Sequence, residues 1–250
     1  MLQPAAAAKQ EPSAPAPSKR LRPLAEFSGS LGQRVYQTLR QGILSLAYRP
    51  GEILRKPEVC AALGVSRSPV ADAVARLQAE GLVDVIPQAG TFVARFSMED
   101  IREGAFLREA IEVAAIERVA ARITDDQLQL LRRNLTVQAA LVADGDIPGF
   151  YAMDAAMHEL LLSFTGFPKL SQVAETAWLH VNRARQLILP VPGRIAATLA
   201  EHQAILTALE ARDPDAARAA IQAHLRQLLT YLEPLERDRP ELFNPDRGTA

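Results

Sequence analysis

The octet Leu63-Gly64-Val65-Ser66-Arg67-Ser68-Pro69-Val70 constrains the fold most, because it has the pattern of a tight turn between two helices. A glycine suits the end of one helix, and serine followed by proline suits the first turn of the next. Ser66 or Ser68 can cap that second helix. A polar, arginine-bearing helix start after a glycine turn is typical of a helix-turn-helix, although an ordinary helical corner has the same local pattern. The apolar residues that then repeat at helical spacing are Val70, Val74 and Leu77.

The flanking segments favour the helix-turn-helix interpretation. Before the octet, apolar residues at helical spacing from Leu31 to Leu46 predict a helix, and the break Tyr48-Arg49-Pro50-Gly51-Glu52 follows it. After the octet, residues 82–86 and 91–94 are strand-like and are joined by Pro87-Gln88-Ala89-Gly90. Three helices followed by a β-hairpin predict a winged helix.

Residues 31 to 95 resemble the DNA-binding domain of the GntR family of bacterial regulators. The resemblance implies a double-stranded DNA operator as partner, with Arg67 as the candidate for reading guanine O6 and N7. It also implies that basic side chains near the turn contact phosphates, and we assign this role to Arg34, Arg40, Arg55 and Lys56. The remaining predicted DNA contacts are Ser66, Ser68, Gly90 and Thr91. The matching segments are Val35-Tyr36, Leu39-Arg40, Ile43-Leu44, Pro50-Gly51, Leu63 to Arg67, Pro69-Val70, Leu77, Glu80-Gly81-Leu82 and Gly90 to Val93.

The recognition helix departs from the family at two positions. Relatives usually carry Arg-Glu where this chain has Ala71-Asp72, and the wing tip Gln88-Ala89-Gly90 lacks a common arginine. One expected recognition arginine is therefore missing, and Asp72 adds negative charge there. These departures leave the predicted fold unchanged but leave the operator sequence open.

Composition separates the chain into two parts of opposite charge. Residues 1–96 hold 12 Lys and Arg against 7 Asp and Glu, a balance of +5, and residues 97–250 hold 16 against 22, a balance of −6. A basic N-terminal part followed by an acidic remainder is typical of a DNA-binding module joined to a sensor. No apolar run approaches the roughly 20 residues of a membrane helix, so we expect no membrane contact. The single cysteine, Cys60, fits a cytoplasmic protein, and we expect it in a core position.

The fold class predicted is mainly α, with an N-terminal winged helix-turn-helix and a C-terminal all-α antiparallel helical bundle. We expect a disordered Pro- and Ala-rich arm at 1–28, the winged helix at 29–96, a helical metal- and effector-binding domain at 97–234, and a flexible tail at 235–250. The predicted helices of the bundle are 99–122, 125–144, 147–165, 168–189, 193–212 and 214–233.

Three of the four histidines lie on apolar stripes of the helical half, and so does one aspartate. Asp154 and His158 are one turn apart, and His202 and His224 continue apolar series in two later helices. Imidazole nitrogens and a carboxylate oxygen suit a divalent ion such as Zn²⁺, Ni²⁺ or Mn²⁺. The alternative is three unrelated core histidines, each bonded to a backbone carbonyl. His180 has no predicted role.

Residues 98 to about 232 resemble the ligand-binding domain of the FadR subfamily, the type called FCD. In that pattern the metal positions are Asp154, His158, His202 and His224, so all four are filled. Arg108 falls where relatives place a pocket arginine, and Arg183 is a second candidate for an effector carboxylate. A surface salt bridge is an equal alternative for Arg183 and the better interpretation of Arg185.

Taken together, these patterns predict a homodimeric transcription regulator, not an enzyme, and most simply a repressor. A small organic acid binding at the metal would change the bundle, and the linker at 96–100 would re-space the two winged helices. Two alternatives remain open at this point. One is a metal-dependent hydrolase, because three nitrogens and an oxygen on a metal can activate water. The other is a regulator in which the metal is purely structural.

Overall fold

A computed structural model describes residues 20–244, which form two compact units. The first comprises the described residues up to Ile43 together with Ala47–Val93, and the second comprises Leu44–Leu46 and the described residues from Ala94 onward. Over the described part of the chain, none of the helices combines the length and apolarity needed to cross a membrane.

The first unit contains three helices: α1 (Leu31–Leu44), α2 (Lys56–Leu63) and α3 (Arg67–Ala79). Gly64 ends α2 in the left-handed conformation, with φ of 65°, and its N–H donates to the Cys60 carbonyl. Only glycine adopts this conformation without strain, so the turn between α2 and α3 depends on it. Ser66 occupies the N-cap position of α3, but its side chain makes no capping hydrogen bond. Cys60 is half-buried, less than a core position requires.

A two-stranded hairpin of β1 (Val83–Ile86) and β2 (Gly90–Val93) follows α3. The strands are antiparallel, with Val83 opposite Val93 and Ile86 opposite Gly90. Residues 51–54 hydrogen-bond to β2 along its other edge, as in the 2.8 Å bond from the Leu54 N–H to the Thr91 carbonyl. Helices and hairpin together confirm the predicted winged helix.

The segment just before α1 is more ordered than the sequence predicts. Leu21 is buried, and the Arg20 guanidinium forms an ion pair with Glu52 while packing over the Tyr48 ring. The disordered arm predicted for residues 1–28 is therefore wrong from residue 20 onward, because two side chains find partners in the winged helix. The remainder of that arm lies outside the described residues.

The second unit is helical throughout its described length. Its helices are α4 (Met98–Ala120), α5 (Asp125–Asp144), α6 (Ile147–Ser163), α7 (Leu170–Ala177), α8 (Leu179–Ile188), α9 (Arg194–Glu210) and α10 (Pro214–Asp238). Local capping sets most of the starts. Thr124 forms a capping box with Gln127, Asp146 accepts from the Gly149 N–H, and Asp213 accepts from two backbone amides of α10.

One predicted helix, 168–189, is divided into α7 and α8 at Trp178. Gly104 of α4 lies against this break, since a Cβ at that position would come within 3.1 Å of the Ala177 carbonyl oxygen and 3.0 Å of Val181. The close approach of α4 therefore depends on glycine at 104. Because this packing joins residues far apart in the chain, the local sequence does not reveal the break.

Helix α4 is the central helix of this unit and packs against α6, α7, α8, α9 and α10. Two apolar clusters form around it: Ile101 belongs to one and Ile116 to the other. Arg108 and Glu112 lie between these two positions on α4, and both are buried. A polar site is thus enclosed between two apolar cores.

The segment from Leu235 to Asn244, predicted to be flexible, is ordered. Helix α10 continues through Pro234 to Asp238, and Phe243 is buried with its ring 5.7 Å from that of Phe96. The Phe96 N–H donates to the Leu242 carbonyl and the Asn244 N–H donates to the Phe96 carbonyl, at 2.9 and 2.8 Å. This segment therefore pairs with the residues that lead into α4. Residues 245–250 of the predicted tail lie outside the described part.

Candidate metal centre and nucleic-acid interface

Asp154, His158, His202 and His224 converge from helices α6, α9 and α10. Each contributes one ligand atom, these atoms all lie within 4.8 Å of one another, and all four residues are buried. Asp154 and His158 are brought together by the i, i+4 spacing on α6. The structure therefore joins the four residues that the sequence selects as metal ligands.

Each of the three imidazoles is oriented by a different hydrogen-bond acceptor. His158 donates from Nδ1 to Glu112 at 2.5 Å, and His224 donates from Nδ1 to Glu201 at 2.8 Å. His202 donates from Nδ1 to the Gln138 side-chain oxygen at 2.8 Å. Carboxylate and amide oxygens only accept, so each ring carries a proton on Nδ1, and in the neutral ring Nε2 is then a lone pair.

The orientation of the Gln138 amide is itself fixed by neighbours. Its Nε2 donates to Asn134 Oδ1 at 2.7 Å, and Asn134 Nδ2 donates to the Met153 carbonyl at 2.9 Å. The end of this chain is a backbone acceptor, which determines the direction of every bond in it. Gln138 Oε1 is thereby left to accept from His202.

The chemistry at the centre of the cluster fits a cation. Nε2 of His158 and Nε2 of His224 lie 3.2 Å apart, although both are lone pairs in the tautomers fixed above. Nε2 of His202 and Oδ1 of Asp154 lie 3.4 Å apart, and both are buried without a hydrogen bond to any described residue, while Oδ2 of Asp154 faces Arg185. Facing lone pairs and unsatisfied buried acceptors are costly unless a proton or a metal ion lies between them.

A shared proton is the less favourable solution. Burial, followed by the charges of His224 and His158, lowers the pKa of His202 well below its usual value. Burial, followed by His158 and Arg108, does the same to the pKa of His224. Burial opposes ionisation of Glu112, but His158 and Arg108 lower its pKa below the usual range, so it remains a carboxylate. Neutral imidazoles oriented by carboxylates are the donor arrangement that transition-metal sites use.

Two buried arginines border the cluster. Arg185 forms an ion pair with Asp154 and lies over the Tyr151 ring at 5.3 Å, so its interpretation as a surface salt bridge is wrong. Arg108 donates from Nε to Glu112 at 2.6 Å and lies over the Trp178 ring at 5.2 Å. Both guanidinium groups are held within reach of residues that surround the metal ligands.

Arg183 contacts the segment that precedes α4. It is almost completely buried, donates from Nη2 to the Ala94 carbonyl at 2.7 Å, and lies over the Phe96 ring at 4.5 Å. Its role as an effector-binding residue stays a prediction, and its hydrogen bond to the Ala94 carbonyl joins its guanidinium to the segment before α4.

Glu112, Gln138 and Glu201 are site residues that the sequence pattern does not predict. These residues accept from histidines that lie 46, 64 and 23 positions away along the chain. The signals available were Glu112 at i+4 from Arg108 and Glu201 beside His202. Glu201 is held in turn by two bonds from Arg194, at 2.6 and 2.9 Å.

The start of α3 presents the predicted base-reading residues to solvent. Ser66, Arg67 and Ser68 are all exposed, and no described contact occupies Arg67. At the start of α2, Arg55 is exposed, with a guanidinium nitrogen 3.6 Å from Glu58, and Lys56 is half-buried. These side chains remain predicted DNA contacts, as do the half-buried Arg34 and Gly90.

Two of the predicted DNA contacts are engaged inside the winged helix. Arg40 donates from Nε to Glu80 at 3.2 Å, and Glu80 also accepts from the Tyr36 hydroxyl, so Arg40 joins α1 to the end of α3. Thr91 is 4% exposed because its side chain points into the unit. The contact at Thr91 stays a prediction for which its buried side chain is unfavourable, and the predicted phosphate contact of Arg40 would require it to leave Glu80.

Comparisons with known families match both units. Residues 31–93 match the bacterial regulatory proteins of the gntR family, and residues 103–227 match the FCD domain. The second match spans the four clustered ligands and their three acceptors.

Relatives match over nearly the whole chain. An HTH-type transcriptional regulator from an unstable DNA locus of Streptomyces ambofaciens is 34% identical over 91% of this chain and 96% of its own length. The HTH-type transcriptional repressor RspR of Escherichia coli (strain K12) is 30% identical over 86% of this chain and 95% of its own. A GntR regulator structure from Rhodococcus sp. RHA1 superposes with a TM-score of 0.70 at 26% identity, covering 81% of this chain and 99% of that one.

Proposed function

Because the chain belongs to the GntR family of bacterial regulatory proteins and carries an FCD domain, it is a DNA-binding transcriptional regulator, and we propose that a metal centre in its helical unit controls its operator affinity. We propose further that it acts as a homodimeric repressor, since RspR carries that name. Winged-helix dimers bind half-sites about one helical turn apart, so a palindromic operator is expected.

The observation that carries this proposal is the arrangement of the three imidazoles. Each donates from Nδ1 to its own acceptor and directs Nε2 towards the others and towards Asp154. We assign the metal-ligand role to Asp154, His158, His202 and His224, with Zn²⁺, Ni²⁺ or Mn²⁺ as the ion. When bound, such an ion supplies a positive centre at which a carboxylate can coordinate.

The effector proposed for this centre is a small organic acid, consistent with FCD domains as binders of small-molecule effectors. Arg108 is the residue best placed to hold the acid, because its guanidinium is anchored to Glu112, which orients His158. Arg185 supports Asp154 from the other side. An anion that competes with Asp154 for Arg185 would loosen the contact between α6 and α8.

Helix α8 supplies a route from this site to the start of the helical unit. Arg185 contacts Asp154, and Arg183 on the same helix holds the Ala94 carbonyl. A shift of α8 would therefore act on the segment that continues into the winged helix. The predicted linker at 96–100 is itself partly helical, since α4 begins at Met98 and is capped by Ser97, so we place the responsive segment at residues 94–97.

The hydrolase alternative is not favoured by the carboxylates that contact the cluster. Three carboxylates that contact or belong to the cluster are paired with arginines: Glu112 with Arg108, Glu201 with Arg194 and Asp154 with Arg185. A metal-activated water needs a group that can accept its proton. The relatives are named as transcriptional regulators, which agrees with this assessment.

The test begins with DNA selected in vitro by the purified protein, which supplies an operator fragment. Binding to this fragment is then measured for the zinc-loaded and zinc-stripped protein in the presence of small organic acids. We expect an acid to release the DNA only from the zinc-loaded form. Release that is equally effective after zinc removal would indicate that the metal is purely structural or absent from the mechanism.

A further inference from the structure

The charged groups around the metal-ligand cluster, all buried except the half-buried Glu201, form three ion pairs. Arg108 pairs with Glu112 at 2.6 Å, Arg194 pairs with Glu201 at 2.6 Å, and Arg185 pairs with Asp154. An imidazole that keeps its proton on Nδ1 and ligates a metal through Nε2 is neutral, so the three histidines add no charge to the metal-bound set. Three carboxylates and three guanidinium groups cancel, so the set carries no net charge.

A divalent cation at this cluster would add two uncompensated positive charges to a buried region. Asp154, the only carboxylate among the four ligands, is already neutralised by Arg185. An uncompensated buried charge is strongly unfavourable, because low-dielectric surroundings replace water. A monoanion would cancel one of the two charges, and a dianion would cancel both.

The structure also offers a second attachment point besides the cation. Arg108 is 4% exposed, and its Nη2 is buried without a hydrogen bond to any described residue, while its Nε is fixed by Glu112. A buried guanidinium N–H without a partner is a favourable donor for an anion. Two separate positive centres fit a ligand whose two charges are also separate.

We propose that the effector of this centre is a dicarboxylate, with one carboxylate at the cation and the other at Arg108. The inference rests on the proposed function and narrows its small organic acid to one class. A tetrahedral oxyanion such as phosphate also carries two charges, but places both on one centre.

A cavity of about 540 Å³ lies next to Trp178 and Asn182, and its lining contains Glu159 and Glu175 but neither Arg108 nor Arg185. Its lining includes Trp178, over which Arg108 stacks, and Asn182, whose side-chain oxygen lies 3.5 Å from Arg185 Nη1. Pockets of a few hundred Å³ accommodate small ligands. Trp178 and Asn182 therefore connect the lining of this cavity to the two guanidinium groups.

The test compares matched acids by calorimetry on the full-length zinc-loaded protein in a phosphate-free buffer. Malonate, succinate and glutarate are each paired with their half-amides, which keep the shape and lose one charge, and inorganic phosphate is a separate arm. We expect at least one dicarboxylate to bind at least about tenfold more tightly than its half-amide and than phosphate, as a charged hydrogen-bonded contact implies. In Arg108→Gln the ratio of the half-amide Kd to the dicarboxylate Kd should fall to within about twofold, because the second attachment point is gone.

Control variants separate the possible outcomes. Arg226→Gln removes an exposed arginine that pairs with Glu109 at the surface and should leave the ratio unchanged.

Arg185→Gln provides a second test of the anion site if Arg108→Gln fails to fold or to take up zinc, and should also reduce the ratio. If the protein binds Zn²⁺ but prefers half-amides or phosphate, or binds no acid, the dicarboxylate inference is wrong. If it binds no Zn²⁺, the proposed metal centre is wrong and the inference falls with it.

Discussion

Arg183 and Arg185 lie two residues apart on α8 and contact two different parts of the helical unit. Arg185 pairs with Asp154 in the metal-ligand cluster, whereas Arg183 donates to the Ala94 carbonyl at 2.7 Å. Two residues along an α-helix correspond to a rotation of about 200°, so the two side chains leave opposite faces. One short helix thereby contacts both the candidate effector site and the segment that leads to the winged helix.

The first prediction concerns Arg183. Arg183→Met keeps much of the apolar packing against Phe96 but leaves the Ala94 carbonyl without its donor. We expect the free energy of unfolding to fall by about 1–3 kcal/mol in urea denaturation, as for a lost buried hydrogen bond to a charged group. Zinc affinity should be unchanged, while the effect of an organic acid on DNA binding should shrink. Unchanged acid sensitivity in a folded Arg183→Met protein would exclude α8 as the route.

The second prediction concerns metal content. We expect about one divalent ion per chain by elemental analysis, because a single cluster supplies all four ligands. Zinc at about 100 times its Kd should raise the free energy of unfolding by about 2.7 kcal/mol. His202→Ala should lose this stabilisation, whereas His180→Ala should keep it, since His180 is half-buried on α8 and lies outside the cluster. Equal loss in both variants would mean that the effect does not come from this site.

The third prediction concerns the pH dependence of the zinc-free protein. Burial lowers the pKa of His202 and of His224 in the folded state, whereas both titrate near 6.5 when unfolded. The unfolded chain therefore binds more protons below that pH, and stability is lost as the pH falls through the unfolded value. Between about pH 7.5 and about pH 5.5 we expect a loss of about 2–3 kcal/mol for the two imidazoles. In a His202→Gln, His224→Gln double variant, the free energy of unfolding measured by urea denaturation should depend less on pH. A pH dependence as steep as that of the wild type would contradict the assignment.

The fourth prediction concerns DNA recognition by α3 and α2. Arg67→Ala should weaken binding to a selected operator by about 1–3 kcal/mol and relax its sequence preference, as expected for loss of a bidentate base contact. Lys56→Ala should weaken operator and random DNA alike and reduce the salt slope by about one unit. Fluorescence anisotropy measures the Kd of each variant for the operator and for random DNA, which distinguishes a base contact from a phosphate contact. If Arg67→Ala also weakens both DNAs equally, Arg67 contacts phosphate instead of a base.

Features set by local sequence were predictable. The helix starts after Thr124 and Asp213 follow from capping residues, and the winged helix follows from Gly64 and the hairpin pattern. The break at Trp178 and the ordered Phe243 were not, because each depends on packing between distant segments, against Gly104 and Phe96 respectively. Local propensity favours a longer helix in the first case and a frayed end in the second.

The metal-ligand set was predictable for a different reason. Polar residues on otherwise apolar helical stripes must face the core, which identifies Asp154, His158, His202 and His224 together. The acceptors of the three histidines were not predictable. Gln138, for example, has no local feature that separates it from a surface glutamine, and only the packing of α5 against α9 brings it to His202. The directions in which the Arg183 and Arg185 side chains leave α8 also depend on where that helix begins, and the sequence predicts one longer helix over 168–189 instead.

The most direct test of the account is operator affinity of the wild-type protein in four states: with and without zinc, and with and without the acid that binds most tightly in calorimetry. Asp154→Asn provides the matched variant, because it keeps the shape of the ligand and removes its charge. We predict that the acid weakens operator binding by the zinc-loaded wild type at least about fivefold, the lower range of allosteric coupling, and that operator DNA weakens acid binding by the same factor. Neither effect should appear without zinc or in Asp154→Asn. Identical operator affinity of the zinc-loaded wild type with and without bound acid would contradict the account.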